Sequence, residues 1–152
     1  MKYLSVGNLV EAVVTSIEDY GIWVKYYDYE GLIPIIEVSW KWGPINPKDY
    51  AIVGEKLKVK VLRIKKYKFY ASLKEVHPQN NPWLSLPNEG DIFQLPVISQ
   101  VEYGYFFEIK PNLLGFLYIK DTHQNYQRGD YVTLKVSQVD GDRQRISLIE
   151  IT

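Results

Sequence analysis

Several residue types are scarce in this sequence, and each absence narrows the range of functions. There is no cysteine, which excludes disulfide bonds and thiolate chemistry and suits a cytoplasmic protein. There are two histidines, His77 and His123, and neither has a partner at metal-ligand spacing, so we predict no metal site. No Gly-rich phosphate loop, paired-carboxylate signature or nucleophile motif is present. We therefore predict neither enzymatic activity nor a cofactor.

Long hydrophobic runs are also missing. A membrane-spanning helix needs about 18 consecutive apolar residues, and no run approaches that length. The first residues, MKYLSVGNLVEAV, lack the profile of a signal peptide. We therefore expect a cytoplasmic protein without membrane association. The 152 residues, 46% of them hydrophobic, have a globular composition and suffice for one domain or two small ones.

The net charge of zero hides an asymmetry between the two halves of the chain. Residues 1–78 contain 12 Lys and Arg against 9 Asp and Glu, a balance of +3. Residues 79–152 contain 6 against 9, a balance of −3. The first half is therefore the better candidate for a polyanionic partner, although +3 is modest beside strongly basic nucleic-acid-binding domains.

Strand signals dominate the chain, and the predicted fold class is all-β. Segments rich in β-branched and aromatic residues with partial alternation are separated by glycine, proline and asparagine. Two segments, Pro34–Val38 and Pro47–Ala51, can each form a short helical turn. Short strands at this spacing are typical of a sandwich or a barrel. The predicted strands are Val6–Thr15, Ile22–Tyr27, Lys56–Ile64, Tyr67–Leu73, Asp91–Ser99, Tyr105–Ile109, Tyr131–Val139 and Arg145–Ile149.

The chain contains an internal repeat on either side of a linker. The stretch HPQNNPWLSLPNEG, with three prolines and three asparagines, shows no periodicity and predicts a semi-stiff linker. VGNLVEAVVTSIEDYGIWV aligns with EGDIFQLPVISQVEYGYFF, and VGEKLKVKVLRI aligns with RGDYVTLKVSQV. The second copy is shorter by about nine residues, and the loss falls in the region of SWKWGPINPKDYA. We predict a first domain at 1–78, a linker at 79–87 and a second domain at 88–152.

The ordered motifs of the first copy resemble the RNA-binding repeat of bacterial ribosomal protein S1. They are YGIWV, then GLIP, then SWKWG, then VGEKLKVKVL and a trailing PW. The second copy keeps YGYFF, GFLY, RGD and DGDRQRISL in the same order. The resemblance implies two tandem five-stranded, partly open Greek-key barrels of the oligonucleotide-binding (OB) kind. Such barrels bind single strands across strands two and three and the nearby loops.

The resemblance also implies stacking residues, at the two aromatics of aromatic-Gly-x-aromatic. These are Tyr20 and Trp23 in the first copy and Tyr103 and Phe106 in the second. Strand alternation places Trp23 and Lys25 together on the outer face, where a ring and a cation suit base and phosphate. A packing role for these rings, at a barrel end or against another domain, is the alternative. Tyr26 is predicted to be a core residue and Tyr29 a loop residue without a role.

At two further positions the sequence departs from the family pattern. The family histidine of strand three is replaced by Pro34 in the first copy and by Tyr118, which can still stack, in the second. The closing strand of the second copy keeps Arg145, preceded by Asp140 across the hairpin. These two residues can form a local ion pair, or Arg145 can contact RNA.

A basic segment, KLKVKVLRIKKYK, completes the candidate site. Its first part alternates, so that Leu57, Val59 and Val61 face the core and the intervening lysines form a solvated face. Its last part concentrates cations around one turn, which favours an anionic partner. In the neighbouring SWKWG, we expect one tryptophan, Trp40 or Trp42, to plug the barrel. The cations of the turn are Arg63, Lys65, Lys66 and Lys68.

These observations favour single-stranded RNA binding by stacking and phosphate contacts, with weak sequence preference and a possible link to translation or RNA metabolism. The ribosome or another protein is a further possible partner. The alternative is a protein-interaction module, an adaptor or immunity-type partner, that reuses the barrel; the neutral charge, Pro34 and the acidic second half favour it. In a third scheme the first copy binds RNA and the second docks protein or braces the first.

Overall fold

The computed structural model describes residues 3–151, and its secondary structure consists of strands and short 3-10 turns. The chain divides into two compact units, Met1–Asn81 and Pro82–Thr152. Part of the stretch assigned above to the linker thus belongs to the second unit, where Trp83 and Leu86 pack against the core. The predicted all-β class is confirmed.

The first unit is a closed five-stranded barrel in which the strands follow the order β1-β2-β3-β5-β4. The β3–β5 contact is parallel and the other contacts are antiparallel. Alternation sets the faces: Ala12 and Val14 of β1 and Val59 and Val61 of β4 are buried, as the pattern predicts. The strands are β1 (Leu9–Glu18), β2 (Gly21–Tyr26), β3 (Tyr29–Pro34), β4 (Lys56–Lys65) and β5 (Lys68–Ser72).

Short 3-10 turns join these strands and cross the segment between the units. Ile35–Glu37 and Pro47–Asp49 confirm the two helical turns predicted between the third and fourth strands. Asn46 caps the second of these turns by accepting a hydrogen bond from the Lys48 amide at 3.1 Å. After β5 come Lys74–Val76, Pro78–Asn80 and Pro82–Leu84. The last two of these turns begin with proline, whose fixed φ suits the first position of a helical turn.

The second unit is a six-stranded sheet in the order β6-β10-β11-β9-β8-β7, one strand more than the five predicted. The sixth strand arises because the predicted strand Asp91–Ser99 is interrupted after Pro96. Val97 bonds Asp130 and Gly129 on one side, while Ile98 bonds Phe106 on the other. The strands are β6 (Ile92–Pro96), β7 (Ser99–Val101), β8 (Gly104–Lys110), β9 (Leu113–Tyr118), β10 (Tyr131–Asp140) and β11 (Arg145–Glu150), and a 3-10 turn covers Ile119–Asp121.

The interruption has a counterpart in the first barrel. There, β1 shifts register against β2 between Val14 and Ser16. In the alignment of the two copies, which places Gly7 on Gly90, these positions correspond to Val97 and Ser99. β6 pairs with β10 and β7 with β8, just as the two ends of β1 pair with β4 and β2. The two strands are therefore one barrel strand, broken where the first copy has only a bulge.

Strand propensity alone predicts neither β3 nor β9, which only the resemblance implies. The reason is a glycine within each strand, Gly31 and Gly115. A Cβ at Gly31 would lie 2.3 Å from the Phe69 ring, so close packing across the barrel requires glycine here. The prediction that Tyr29 is a loop residue without a role is wrong: it lies in β3 and packs against the core beside Phe69, at a ring separation of 6.5 Å. Tyr26 packs against the same core, as predicted.

Candidate nucleic-acid interface

One row of side chains crosses the outer face of the first barrel. Register places Trp23 of β2 opposite Leu32 of β3, Leu32 beside Tyr70 of β5, and Tyr70 opposite Arg63 of β4. The four side chains are half-buried or exposed, because their neighbours in each strand fill the core. We call them the aromatic row. It sets two rings and a guanidinium along one line across four strands.

A second row lies beside the first, two residues away from it on each of the four strands. Lys25 of β2 is opposite Glu30 of β3, Glu30 is beside Lys68 of β5, and Lys68 is opposite Lys65 of β4. All four are exposed. We call them the charged row. Three cations and one carboxylate give it a formal charge of +2, so it adds positive potential beside the rings.

The two rows form a groove of about 660 Å³, lined by Trp23, Glu30, Leu32, Arg63, Ile64, Lys65, Lys68, Phe69 and Tyr70. Four of the residues predicted from the sequence therefore meet in one place: Trp23, Arg63, Lys65 and Lys68. Lys25 lies opposite Glu30 but does not line this groove. The apolar centre and basic edge match the two needs of a single-stranded nucleic acid, which are a stacking surface and counter-charge for phosphates.

Sequence reasoning missed Tyr70. It is 41% exposed, and the Arg63 guanidinium carbon lies 4.9 Å above its ring centroid. This cation–π contact holds the guanidinium beside the ring at the edge of the groove. The alternation in KFYAS carried the signal, since Phe69 and Ala71 are buried and the residue between them must point outward.

Tyr20 stands at the β1–β2 end of the aromatic row. The indole Nε1 of Trp23 donates a hydrogen bond to the Tyr20 hydroxyl oxygen at 2.8 Å, and the rings meet edge to face at 6.4 Å. Tyr20 is 54% exposed. The glycine between the two aromatics is required by packing, because a Cβ at Gly21 would lie 2.3 Å from the Ile33 carbonyl oxygen. The hydrogen bond fixes the indole plane beside the groove.

The last predicted cation, Lys66, sits at the apex of the β4–β5 turn with a φ of 56°. It is exposed and does not line the groove. The structure thus separates the basic turn into three cations that border the groove and one that projects beyond it.

The two tryptophans of SWKWG take different environments. Trp40 is half-buried, its Nε1 donates to the Lys74 carbonyl oxygen at 3.0 Å, and the Lys74 ammonium lies 4.4 Å from its ring centroid. Trp42 is 44% exposed. Trp40 therefore anchors the β3–β4 connection to the turn that follows β5.

In the second unit the predicted aromatics gather around Phe116. The ring of Phe116 lies 5.4 Å from that of Tyr103, 4.7 Å from that of Phe106 and 4.8 Å from that of Tyr118. Phe116 was not predicted, although the repeat aligns it with Leu32. Register explains the cluster, because Phe106 and Phe116 are opposite each other on β8 and β9. Lys120 extends over the Tyr118 ring at 5.5 Å.

The charges around this cluster differ from those of the first barrel. The residues that occupy the places of Lys25, Arg63, Lys65 and Lys68 in the register of the second sheet are Glu108, Gln138, Asp140 and Arg145. Four positive charges are thereby replaced by a formal charge of −1. Arg145 is exposed and opposite Asp140, but Asp140 lies 3.8 Å from Arg143, which is the ion pair of this hairpin.

Two features are absent from residues 3–151. In this part of the chain no group of three or more His, Cys, Asp or Glu side chains is arranged to hold a metal ion. Across the same residues, no helix has the length and apolar character needed to cross a membrane.

The fold and the groove define the class of the first unit as an oligonucleotide-binding type of barrel. Residues 3–74, which span all five of its strands, match the model of the S1 RNA binding domain. The first unit therefore matches the S1 RNA binding domain, which confirms the resemblance in the motifs of the first copy.

Comparison with curated proteins points the same way. The chain is 28% identical over 161 residues to small ribosomal subunit protein bS1 of Staphylococcus saprophyticus, covering 97% of this chain and 40% of that protein. It is 34% identical over 135 residues to 4-hydroxy-3-methylbut-2-enyl diphosphate reductase of Fusobacterium nucleatum, covering 85% of this chain and 16% of that protein. The chain thus spans less than half the length of these relatives.

Among solved structures, a chain of the a/eIF2alpha-aDim2p-rRNA complex from Pyrococcus horikoshii OT3 is similar at 32% sequence identity and a TM-score of 0.47. The similarity covers 51% of this chain and 49% of that one.

Proposed function

We propose that the first barrel binds single-stranded RNA along the groove between the aromatic and charged rows. The observation that carries the proposal is the convergence of Trp23 and Tyr70 with Arg63, Lys65 and Lys68. Bases stack on the rings, and the phosphates run along the cations. Stacking accepts any base, so sequence preference is weak across most of the strand. Tyr20 and Lys25 extend this surface at the β1–β2 and β2–β3 ends, and Lys66 adds charge beyond the turn.

The test is the affinity of the whole chain for a short unstructured, fluorescently labelled RNA, measured by anisotropy. Trp23→Ala is expected to weaken binding by about 1–3 kcal/mol, the usual contribution of one base stack. The matched control is Trp42→Ala, because Trp42 is a partly exposed tryptophan of the same barrel that does not line the groove. Equal affinities for Trp23→Ala and the wild type would remove Trp23 from the interface.

For the second unit, we propose that Tyr103, Phe106 and Tyr118 form a stacking surface of that unit. Of the four positions equivalent to the cations of the first barrel, only Arg145 then contacts a phosphate. The replacement of four cations by a net charge of −1 at those positions favours a second candidate, in which this surface contacts a protein. Tyr103→Ala separates the two, because Tyr103 is 59% exposed and its removal spares the core. Weaker binding of a long RNA supports stacking, and unchanged binding supports the protein contact.

We further propose a cytoplasmic role in translation or RNA metabolism, with binding as the activity in place of catalysis. Relatives named as small ribosomal subunit protein bS1 support this setting. Cosedimentation of the chain with ribosomes from a lysate, before and after nuclease treatment, tests the link. Sedimentation that persists only with intact RNA supports an RNA-mediated association. If the chain remains in the fraction of free proteins both before and after nuclease treatment, the ribosome is excluded as its partner.

A further inference from the structure

A carboxylate in a groove built for a polyanion needs an explanation. Glu30 lines the groove beside Trp23, Lys68 and Tyr70, and it is exposed. A carboxylate repels phosphates, so its presence weakens backbone contacts at this point. The ordinary role of such a residue is a cross-strand ion pair, and register provides two partners, Lys25 and Lys68.

The structure does not show a cross-strand ion pair of Glu30. Within residues 3–151, Glu30 makes no ion pair with a nitrogen closer than 4.0 Å, although lysines flank it on both sides. Its side chain hydrogen-bonding capacity is therefore available to a ligand. An ionised carboxylate has only acceptors, two oxygens with room for two parallel N–H donors.

The position of Glu30 relative to the aromatic row decides which part of a nucleotide it meets. Glu30 and Leu32 are two residues apart on β3 and lie on the same face, so their side chains are roughly 6.6 Å apart along the strand. Leu32 lies between Trp23 and Tyr70. A base stacked on this row therefore points one of its edges along β3, toward the carboxylate of Glu30.

We propose that Glu30 is a specificity-determining residue that selects guanine at this one position of the groove. This inference rests on the proposed RNA binding. The Watson–Crick edge of guanine carries two adjacent donors, N1–H and the 2-amino group, which match the two carboxylate oxygens. Adenine and cytosine each offer one donor next to an acceptor, and uracil offers one donor between two acceptors. With these bases a lone pair of the base faces a carboxylate oxygen, which weakens binding because two hydrogen-bond acceptors repel each other.

The experiment compares labelled hexamers that differ at one central base. The probes are oligouridylate, the same strand with one guanine, and the same strand with one inosine, which keeps N1–H but lacks the 2-amino group. For the wild type, guanine is expected to bind about tenfold more tightly than uracil, with inosine between them, as for a bidentate contact to a base edge. In Glu30→Gln the ratio of the guanine and uracil affinities falls toward one, because the amide presents one acceptor and one donor group.

The ratio is the readout, since removing a negative charge raises the affinity for every RNA. The matched control is Glu11→Gln, an exposed carboxylate of β1 opposite Lys58 and outside the groove, which keeps the guanine preference. If the wild type binds all three hexamers equally, or Glu30→Gln keeps the preference, the guanine assignment is overturned and RNA binding stands. If none of the hexamers binds at low salt, both proposals fail.

Discussion

The salt dependence of RNA affinity can be worked out from the groove. Four cations belong to the two rows: Lys25, Arg63, Lys65 and Lys68. Each phosphate neutralised on a single strand contributes about −0.7 to the slope of log affinity against log salt. Four contacts therefore give a slope of about −2.8, and raising the salt from about 50 to about 200 mM lowers the affinity by about 50-fold.

Single substitutions divide this slope among the residues. Arg63→Gln, Lys65→Gln and Lys68→Gln are each expected to reduce its magnitude by about 0.7, because each removes one phosphate contact. Lys48→Gln, on the 3-10 turn Pro47–Asp49 and away from the groove, leaves the slope unchanged. The assay is anisotropy of a labelled oligouridylate at four or five salt concentrations. A wild-type slope near zero, or an equal change for Lys48→Gln, would refute the assignment of the rows to phosphate contact.

The remaining predictions concern stability. Gly21→Ala is expected to destabilise the first barrel by about 1–3 kcal/mol, since its Cβ would lie 2.3 Å from the Ile33 carbonyl oxygen. The control in urea unfolding is Gly141→Ala, whose Cβ would meet only the Leu86 side chain at 3.3 Å and which should cost little. Equal losses of unfolding free energy for the two variants would contradict the steric argument. Tyr126→Phe removes the hydroxyl that donates to Glu150 and is expected to cost the second unit about 1–3 kcal/mol, whereas Tyr131→Phe, at an exposed site, costs little in the same circular dichroism melts. Trp40→Phe removes the indole N–H that donates to the Lys74 carbonyl oxygen, which then keeps only the His77 amide as a donor. It is expected to lower the melting temperature of the first unit, while Trp42→Phe does not; the reverse order would show that Trp40 is not the anchor.

The sequence predicts the faces of the strands well, because alternation alone decides them. Trp23 and Lys25 point outward, and Val59 and Val61 are buried, as expected. Alternation does not show which outward residues become neighbours, since that depends on pairing between strands far apart in the chain. The parallel β3–β5 contact places Leu32 beside Tyr70 and so joins the two halves of the aromatic row, and no local pattern reveals this contact.

Two further features lay beyond the sequence pattern for different reasons. The cluster around Phe116 follows from cross-strand pairing of Phe116 with Phe106. Strand propensity did not predict β9, because the strand contains Gly115, and so the role of Phe116 was not predicted either. The break after Pro96 was not predicted, because the corresponding strand of the first copy is continuous and has only a bulge at this position. Proline, which donates no backbone hydrogen bond, makes the break complete in the second copy.

The broken strand also determines where the second sheet is weakest. β7 has three residues and pairs only with β8, whereas β6 is held by five register pairs to β10. The free energy of local opening rises with the number of bonds that must break together, so β7 separates at a lower cost than β6. Its separation would expose the edge of β8 at Gly104–Phe106, next to the clustered rings, while the interior of the sheet stays closed. Amide hydrogens of β7 would then exchange with solvent far sooner than those of β10, and the aromatic surface would have a mobile border on one side.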